Sequence, residues 1–154
     1  MTVLENVMVT AADSSIGQTG ALNESRNTLL AARLEQTHSF FSRVLGLLGR
    51  QQLEEGCGML FSSTPWLRLM WMHTFGMRFS IDIIFLDRDS RVLRINHSLQ
   101  PWRVSSPVFG AWRALEIAGG SAERSGTRVG DQILITTEVI MPAERKHSVI
   151  GLQN

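Results

Sequence analysis

The chain has 154 residues and a formal net charge of +1 at pH 7, which fits one domain and excludes a protein that binds nucleic acid by its overall charge. It contains a single cysteine, so an intramolecular disulfide and a Cys-x-x-Cys metal site are both excluded. No stretch approaches the roughly 20 apolar residues that a membrane-spanning helix needs. Residues 1–27 lack the pattern of a signal peptide, so we expect a soluble, cytoplasmic protein.

The two ends of the chain differ in composition from its middle. Residues 1–24 are small, polar and weakly patterned, which predicts a flexible N-terminal leader. Residues 141–154 are polar and predict a flexible C-terminal tail. The residues between them, 25–140, are expected to form a single domain.

Two regular elements are expected early in this domain. Residues 27–36, read as NTLLAARLEQ, are compatible with a helix or a strand, although their Ala, Leu, Arg and Glu residues favour a helix by propensity. A broad apolar face at helical spacing then predicts a helix over about 39–48. Thr37 or Ser39 is its expected N-cap, and Gly49 directly follows its end.

The densest apolar segment, residues 71–87, contains the run Ile-Asp-Ile-Ile-Phe-Leu at 81–86. Its β-branched and aromatic residues predict a strand that is buried on both faces. Asp82 is the exception, because a buried carboxylate has to be paired, hydrogen-bonded or protonated. It is interpreted either as the partner of Arg78 or His73, or as a cap on backbone amides of a neighbouring loop.

Short elements separated by turn signals surround this strand, and they are typical of a mainly β domain. The predicted fold is a single-domain β-sandwich or distorted β-barrel with one short helix. The predicted elements are a strand over 66–74, a turn over 87–90 with a returning strand over 91–97, a long loop over 100–110, a strand over 114–118, a helical turn over 121–125 and a strand over 132–139.

Several segments resemble, in order, the blocks of a known family. They are residues 43–50 (RVLGLLGR), 58–61 (GMLF), 73–87 (HTFGMRFSIDIIFLD) and 115–119 (LEIAG) followed by 129–131 (VGD). Through these blocks the chain, over about residues 25–137, resembles the bacterial and archaeal domain of unknown function 192.

The resemblance implies a compact, mainly β fold with a helix after the first strand, so residues 27–36 are assigned to a strand against their propensity. It implies no activity, because none is established for the family, and it implies that relatives are often exported. Two positions depart from the family pattern. Ser80 stands where proline is favoured, and Ser90 stands where glycine is favoured, so a positive φ at Ser90 would be strained.

One histidine and two carboxylates form a candidate polar cluster: His73, Asp82 and Glu116. If their strands are neighbours, this composition could bind a metal ion or provide the acid and base of a hydrolase. The alternative is a buried polar network that fixes the register of the strands. No ligand spacing such as HxH or HExxH is present, so we favour the network and predict no catalytic residue, no metal and no cofactor.

Cys57 is a candidate nucleophile with His73 as its base, because glycines flank it and would leave it accessible. A single cysteine beside an apolar run is more typical of a small core residue. The sequence also lacks a GxSxG motif, a P-loop and a dinucleotide-binding fingerprint, so catalytic signatures are missing.

Arginine and tryptophan residues form the candidate binding surface: Arg78, Arg94, Trp102, Arg103, Trp112 and Arg113. Such a surface could hold a small molecule, a glycan or a protein, whereas nucleic acid is not expected. Exposure of the two tryptophans would decide between a binding surface and an ordinary core. The sequence therefore favours a non-enzymatic domain that binds a ligand or partner. The alternatives are a metal-assisted hydrolase that uses the polar cluster, and an assembly factor for an envelope complex.

Overall fold

The computed structural model describes residues 19–37, 51–63 and 69–137, and these residues fold mainly as β structure, as the sequence predicts. One short helix, α1 (Ser121–Arg124), is present in the described ranges. Two short strands, β4 (Leu69–Met70) and β7 (Val108–Phe109), pair apart from the main sheet, and the backbone pairing continues from them. We call the two paired segments, residues 69–75 and 100–109, the ribbon. The main sheet has seven strands: β1 (Thr19–Asn23), β2 (Thr28–Thr37), β3 (Cys57–Ser62), β5 (Ile81–Leu86), β6 (Val92–Leu99), β8 (Arg113–Ala118) and β9 (Ile133–Thr136).

The order of strands in the main sheet is β6-β5-β8-β3-β2-β1-β9. Neighbouring strands are antiparallel, except that β2 and β3 are parallel. The sheet curls until its two edges meet at one end, where Arg91 forms a β-bridge with Gln132 and the N–H of Val92 donates to the carbonyl of Asp131 at 2.9 Å. The result is a half-barrel.

One face of the curled sheet carries a core to which all seven strands contribute, and we call it the inner core. Ile84 and Leu86 of β5 pack there with Leu115 and Ile117 of β8. Ala122 of α1 belongs to the same cluster and is fully buried, so the short helix closes one end of the curl.

The opposite face of β5 packs under the ribbon and forms a second cluster, the ribbon core. Ile81, Ile83 and Phe85 alternate along β5 with the residues of the inner core, and they pack with Met70 and Met72 of the ribbon. Because side chains of a strand point alternately to its two faces, β5 is apolar at nearly every position. The prediction of a strand buried on both faces is confirmed.

Several predicted elements are confirmed at their positions. The segment assigned to a strand on the family resemblance is β2, the hairpin after Asp87 is formed by β5 and β6, and the helical turn is α1. Ser90 in the hairpin turn has a φ of +64°, which is the conformation expected to be strained for a serine at this position. The predicted helix over 39–48 and the predicted tail over 141–154 lie outside the described residues.

Two stretches differ from the sequence prediction. Residues 19–23, within the predicted leader, are β1, because their small side chains allow two backbones to approach closely: a Cβ at Gly20 would lie 3.2 Å from the carbonyl oxygen of Ala31. The predicted loop over 100–110 is not structureless, because it contains β7 and pairs along its length with the segment that begins at β4.

Candidate functional site

The ribbon alternates buried and exposed side chains along its first segment. Met72 and Thr74 are buried, whereas Trp71 and Phe75 are exposed and His73 lies half-buried between them. This alternation is the period of an extended chain, so the aromatic side chains at positions 71, 73 and 75 share the outer face of the ribbon.

Thr74 joins the two segments of the ribbon. Its N–H donates to the carbonyl of Arg103 at 2.9 Å, and its carbonyl accepts from the N–H of Trp102 at 3.0 Å. Its hydroxyl donates to the carbonyl of Gln100 at 2.6 Å and accepts from the N–H of Arg103 at 3.0 Å. Thr74 is fully buried, and its hydrogen bonds fix the two segments against each other.

A second set of hydrogen bonds continues this pairing. The N–H of Ser105 donates to the carbonyl of Met72 at 2.8 Å, and the N–H of Met72 donates to the hydroxyl of Ser105 at 2.9 Å. Between these bonds and Thr74, His73 forms an antiparallel β-bridge with Val104. The backbone beneath the exposed rings is therefore held on both segments.

Trp102 is held in a strained conformation. Its φ is +60°, in the left-handed region that costs a residue with a side chain about 1–2 kcal/mol. Its ring is 64% exposed, so burial of the ring does not compensate for the strain. Strain that is maintained by surrounding contacts is typical of functional positions.

The rings of the outer face form a continuous row. The centroids of Trp71 and His73 are 6.3 Å apart, and His73 stacks on Phe75 at 5.0 Å with 20° between the ring planes. Phe75 in turn lies 6.2 Å from Trp102 on the other segment, with 39° between the planes. Contacts at these distances stabilise the rings relative to one another.

The ribbon carries most of the large hydrophobic residues that are exposed in the described part of the chain. Five of the seven large hydrophobic residues that are exposed there belong to it, and the other two, Val129 and Leu134, lie on or near β9. We call this surface the aromatic face; it consists of Trp71, His73, Phe75, Trp102, Val104 and Phe109.

The two chain segments that carry the aromatic face contain cationic residues and no acidic ones. Residues 69–81 and 99–112, which form the ribbon and its flanks, contain no Asp and no Glu. They contain Arg78 and Arg103, both exposed. The surface therefore combines exposed rings with cationic groups.

Asp82 acts as a cap on backbone amides. Its Oδ1 atom accepts from the N–H of Ser98 at 2.7 Å and from that of Gly120 at 3.0 Å, and its Oδ2 atom accepts from the N–H of Ala122 at 2.8 Å. Gly120, the N-cap of α1, has no side chain to make a cap, so Asp82 supplies the acceptor from β5. Of the two interpretations of Asp82, the cap on a neighbouring loop is the one that the structure contains.

The predicted polar cluster is not assembled. In the register of β5 and β8, Asp82 pairs with Ile117 while Glu116 pairs with Ile83, so the two acids lie on neighbouring strands but point to opposite faces of the sheet. His73 lies in the ribbon, where it pairs with Val104. Among the residues that the structure describes, no group of three or more His, Cys, Asp or Glu side chains is placed to hold a metal ion.

The predicted arginine and tryptophan surface is divided between two places. Trp102 follows Leu99, which pairs with Ile81 at the start of β5, whereas the N–H of Trp112 donates to the carbonyl of Leu86 at its end. A strand of this length spans about 17 Å. The two tryptophans therefore belong to different surfaces.

The second of these surfaces lies at the hairpin turn between β5 and β6. Trp112 is half-buried, with the guanidinium carbon of Arg88 lying 5.7 Å from the centre of its ring. Arg113 donates to the carbonyl of Arg88 at 3.4 Å, and Arg94 pairs with Phe85 in the sheet. Only Trp102 and its surroundings present the exposed aromatic surface that the sequence analysis expected of a binding site.

Cys57 lies on a different element from His73 and packs against the ribbon core. It is half-buried at the start of β3 and pairs with Arg33 of β2, whereas His73 belongs to the ribbon. Its surroundings are a polar cleft lined by Arg33, Glu35, Gln51, Gln52, Glu54 and Cys57.

The residues predicted for the binding surface include Trp102, Arg78 and Arg103, but three rings of the aromatic face are not among them. The missing rings are Trp71, Phe75 and Phe109. The signal was present in the alternation of Met with aromatic residues from position 70, which predicts one apolar face toward the core and one toward solvent.

A model of the family named DUF192, described as "Uncharacterized ACR", matches residues 21–135. The chain belongs to this family. A UPF0127 protein of Pyrococcus horikoshii is 32% identical over 113 residues, which are 73% of this chain and 95% of the relative. The family and this relative are both uncharacterised, so membership assigns no reaction or ligand.

Solved structures share the fold of this DUF192 chain. A protein of unknown function from Novosphingobium aromaticivorans is similar with a TM-score of 0.63 and 26% identity, over 76% of this chain and 83% of that one. A structure from Sinorhizobium meliloti has a TM-score of 0.64 over 81% of this chain and all of its own, and its 19% identity carries the fold alone.

None of the helices within the described ranges combines the length and the apolar character that crossing a membrane requires.

Proposed function

We propose that this protein is a non-enzymatic binding domain and that the aromatic face is the surface that takes its ligand or partner. The observation that carries the proposal is the concentration of exposed rings on the ribbon, where Trp71, Phe75, Trp102 and Phe109 are all in contact with water. Burying one such side chain is worth about 1.5–3 kcal/mol, so a surface that leaves several of them exposed has a large driving force for association.

The construction of the ribbon supports this role. The buried hydroxyl and backbone of Thr74 fix both segments, and Trp102 keeps a strained backbone while its ring stays in water. Rings that are already ordered lose little conformational freedom when a ligand covers them, which favours affinity. Tryptophan and arginine, which are found together here, also contribute the largest energies in protein interfaces.

The geometry of the acids supports binding over catalysis. A hydrolase built from His73, Asp82 and Glu116 would need its carboxylates in one site, and the register of β5 and β8 directs them to opposite faces. Both oxygen atoms of Asp82 also accept hydrogen bonds from backbone amides, so this carboxylate already has partners within the fold.

The test compares a ribbon variant with a matched control. The ribbon variant carries Trp71→Ser, Phe75→Ser and Trp102→Ser, and the control carries Val129→Ser and Leu134→Ser, which remove exposed apolar side chains outside the ribbon. Val129 is a close match to Trp102 in exposure, because Val129 is 65% exposed and Trp102 is 64% exposed. Thermal unfolding and circular dichroism first establish that both variants fold.

Binding is then measured by calorimetry against arrays of glycans, acidic peptides, single-stranded nucleic acids and lipid vesicles. We expect at least one class to bind the wild type and the control alike, and to bind the ribbon variant at least roughly ten-fold more weakly. If no class binds in a way that depends on the ribbon, the proposal is overturned.

A further inference from the structure

The occupant of the aromatic face can be inferred from its chemistry. We propose that this face docks onto a lipid bilayer that carries anionic headgroups, an inference that rests on the proposed function. The inference depends on the kind of side chains exposed, on their charge, on the stacking of the rings and on the saturation of the backbone beneath them.

The exposed side chains are those that the boundary between water and lipid accommodates. Trp71 and Trp102 have an apolar ring system with one N–H, and tryptophan is enriched where one end of a side chain is apolar and the other is wet. Phe75, Val104 and Phe109 add purely apolar surface beside them. Proteins that lie on membranes without crossing them use such a face together with basic residues.

The charge of the face selects a negatively charged partner. Arg78 and Arg103 are exposed, and the segments over 69–81 and 99–112 contain no acidic residue. Anionic headgroups attract basic residues near a bilayer surface. A second copy of the chain is a poorer occupant, because a symmetric contact would bring together two faces that carry the same charge.

The stacking of the rings favours insertion over stacking on a base or a sugar. His73 and Phe75 lie face to face at 5.0 Å, so each ring already covers a face of the other. Base-stacking surfaces instead present open faces to the ligand. Trp71 and Trp102 are tilted by 46° and 39° against their neighbours in the row, and the rings of the row can enter the headgroup region of a bilayer together.

Several backbone N–H groups of the ribbon already have hydrogen-bond acceptors, so they do not depend on water. The N–H groups of Met72, Thr74, Trp102, Arg103 and Ser105 all donate within the ribbon. Backbone groups that lose contact with water are costly unless they are paired. The aromatic face can therefore approach lipid without leaving these donors unsatisfied.

The test is co-sedimentation of the full chain with vesicles made of phosphatidylcholine alone, or of equal parts phosphatidylcholine and phosphatidylglycerol. We expect binding to the mixed vesicles, at least roughly ten-fold weaker binding to phosphatidylcholine alone, and release by added salt. Tryptophan fluorescence should shift to shorter wavelength on binding, and lipids brominated near the headgroup should quench it.

Two variants and one control identify the surface. Trp71→Ser with Phe75→Ser should reduce binding to mixed vesicles by roughly ten-fold or more. Arg78→Gln with Arg103→Gln should remove most of the preference for anionic lipid. Arg128→Gln with Val129→Ser, which removes one exposed cation and one exposed apolar group away from the ribbon, should change binding by less than about two-fold.

The outcomes separate this inference from the proposed function. If the wild type binds neither kind of vesicle, docking to lipid is overturned. The same follows if the variant with Trp71→Ser and Phe75→Ser binds mixed vesicles as well as the control does. If an acidic peptide instead binds in a way that depends on the ribbon, the lipid inference fails while the proposed function stands. If neither vesicles nor any other class depends on the ribbon, both fail.

Discussion

At the scale of single residues, Asp82 is the side chain whose replacement should reveal how α1 is attached to the sheet. Its carboxylate is fully buried and accepts from three backbone N–H groups. Asp82→Asn keeps the shape of the side chain but replaces one acceptor oxygen by an NH₂ group. This NH₂ donor would then face a backbone N–H donor. We expect the free energy of unfolding to fall by about 2–4 kcal/mol, measured by chemical denaturation.

The control for this prediction is Asp89→Asn in the turn between β5 and β6, where the side chain is exposed. This variant should change the free energy of unfolding by less than about 0.5 kcal/mol. If Asp82→Asn lowers the free energy of unfolding no more than Asp89→Asn does, the role of Asp82 as a cap is contradicted.

The sequence could predict that Asp82 needs partners but could not name them. An acid in an apolar strand is costly unless it is satisfied, and this rule applies to any fold. The donors lie 16, 38 and 40 residues away in the chain, at Ser98, Gly120 and Ala122, so only the fold brings them together. The strain at Ser90 was predictable because its turn is local and the family resemblance places glycine there.

At the scale of elements, the ribbon should depend on the hydroxyl of Thr74. Thr74→Val preserves the shape of the buried side chain but removes the partly buried hydrogen bonds that its hydroxyl makes with the N–H of Arg103 and the carbonyl of Gln100. We expect the free energy of unfolding to fall by about 1–3 kcal/mol. Hydrogen exchange at the amides of Trp102 and Arg103 should become faster, and any binding through the aromatic face should weaken although no ring has changed.

Thr74→Ser is the matched control, because it keeps the hydroxyl and removes only a methyl group. It should retain slow exchange at Trp102 and Arg103 and cost about 1 kcal/mol through the lost methyl. Equal exchange rates in the two variants would show that the hydroxyl does not hold the ribbon together.

The elements that sequence reasoning predicted are those with a local signal. β5 is an apolar strand and β6 mixes apolar and polar residues; a tight turn joins them, and their pairing needs no information from elsewhere in the chain. The ribbon has no such signal, because β4 and β7 are two residues each and pair across the intervening hairpin. β1 was not predicted for a different reason. Its small residues are typical of a linker, and only the close approach of β2 explains them.

At the scale of the whole molecule, the closure of the half-barrel brings distant charges together. Asp131 precedes β9, and its carboxylate binds Nε of Arg26 at 3.0 Å and the side-chain amide of Asn23 at 2.9 Å. The backbone carbonyl of Asp131 also accepts from Val92 of β6. This one residue therefore connects β1, the turn that follows it and both edges of the sheet. The mainly β architecture was predicted from the short strands, the turn signals and the family resemblance, whereas this contact could be seen only once the two edges of the half-barrel met.

The contact between Arg26 and Asp131 should make the stability of the whole domain depend on pH in the acidic range. Hydrogen bonding from Arg26 lowers the pKa of the Asp131 carboxyl from 3.8 to about 2, and hydrogen bonds from Asn23 and the backbone of Arg128 act in the same direction. A carboxyl with a lowered pKa in the folded state binds a proton more readily when the chain is unfolded. Its contribution to stability is therefore complete above about pH 4 and is lost as the pH falls toward about 2.

We expect Asp131→Asn to be less stable than the wild type by about 1–2 kcal/mol near neutral pH, after allowance for solvent around the partly exposed Arg26. The difference between the two proteins should close as the pH falls toward about 2, because the wild-type carboxyl is then protonated as well. Chemical denaturation at a series of acidic pH values measures this difference. Arg26→Gln should remove the largest part of the same pH dependence, since its guanidinium is the main cause of the shift in pKa. A constant difference between wild type and Asp131→Asn at every pH would show that Asp131 stabilises the closed sheet by its shape and neutral hydrogen bonds, and not by its charge.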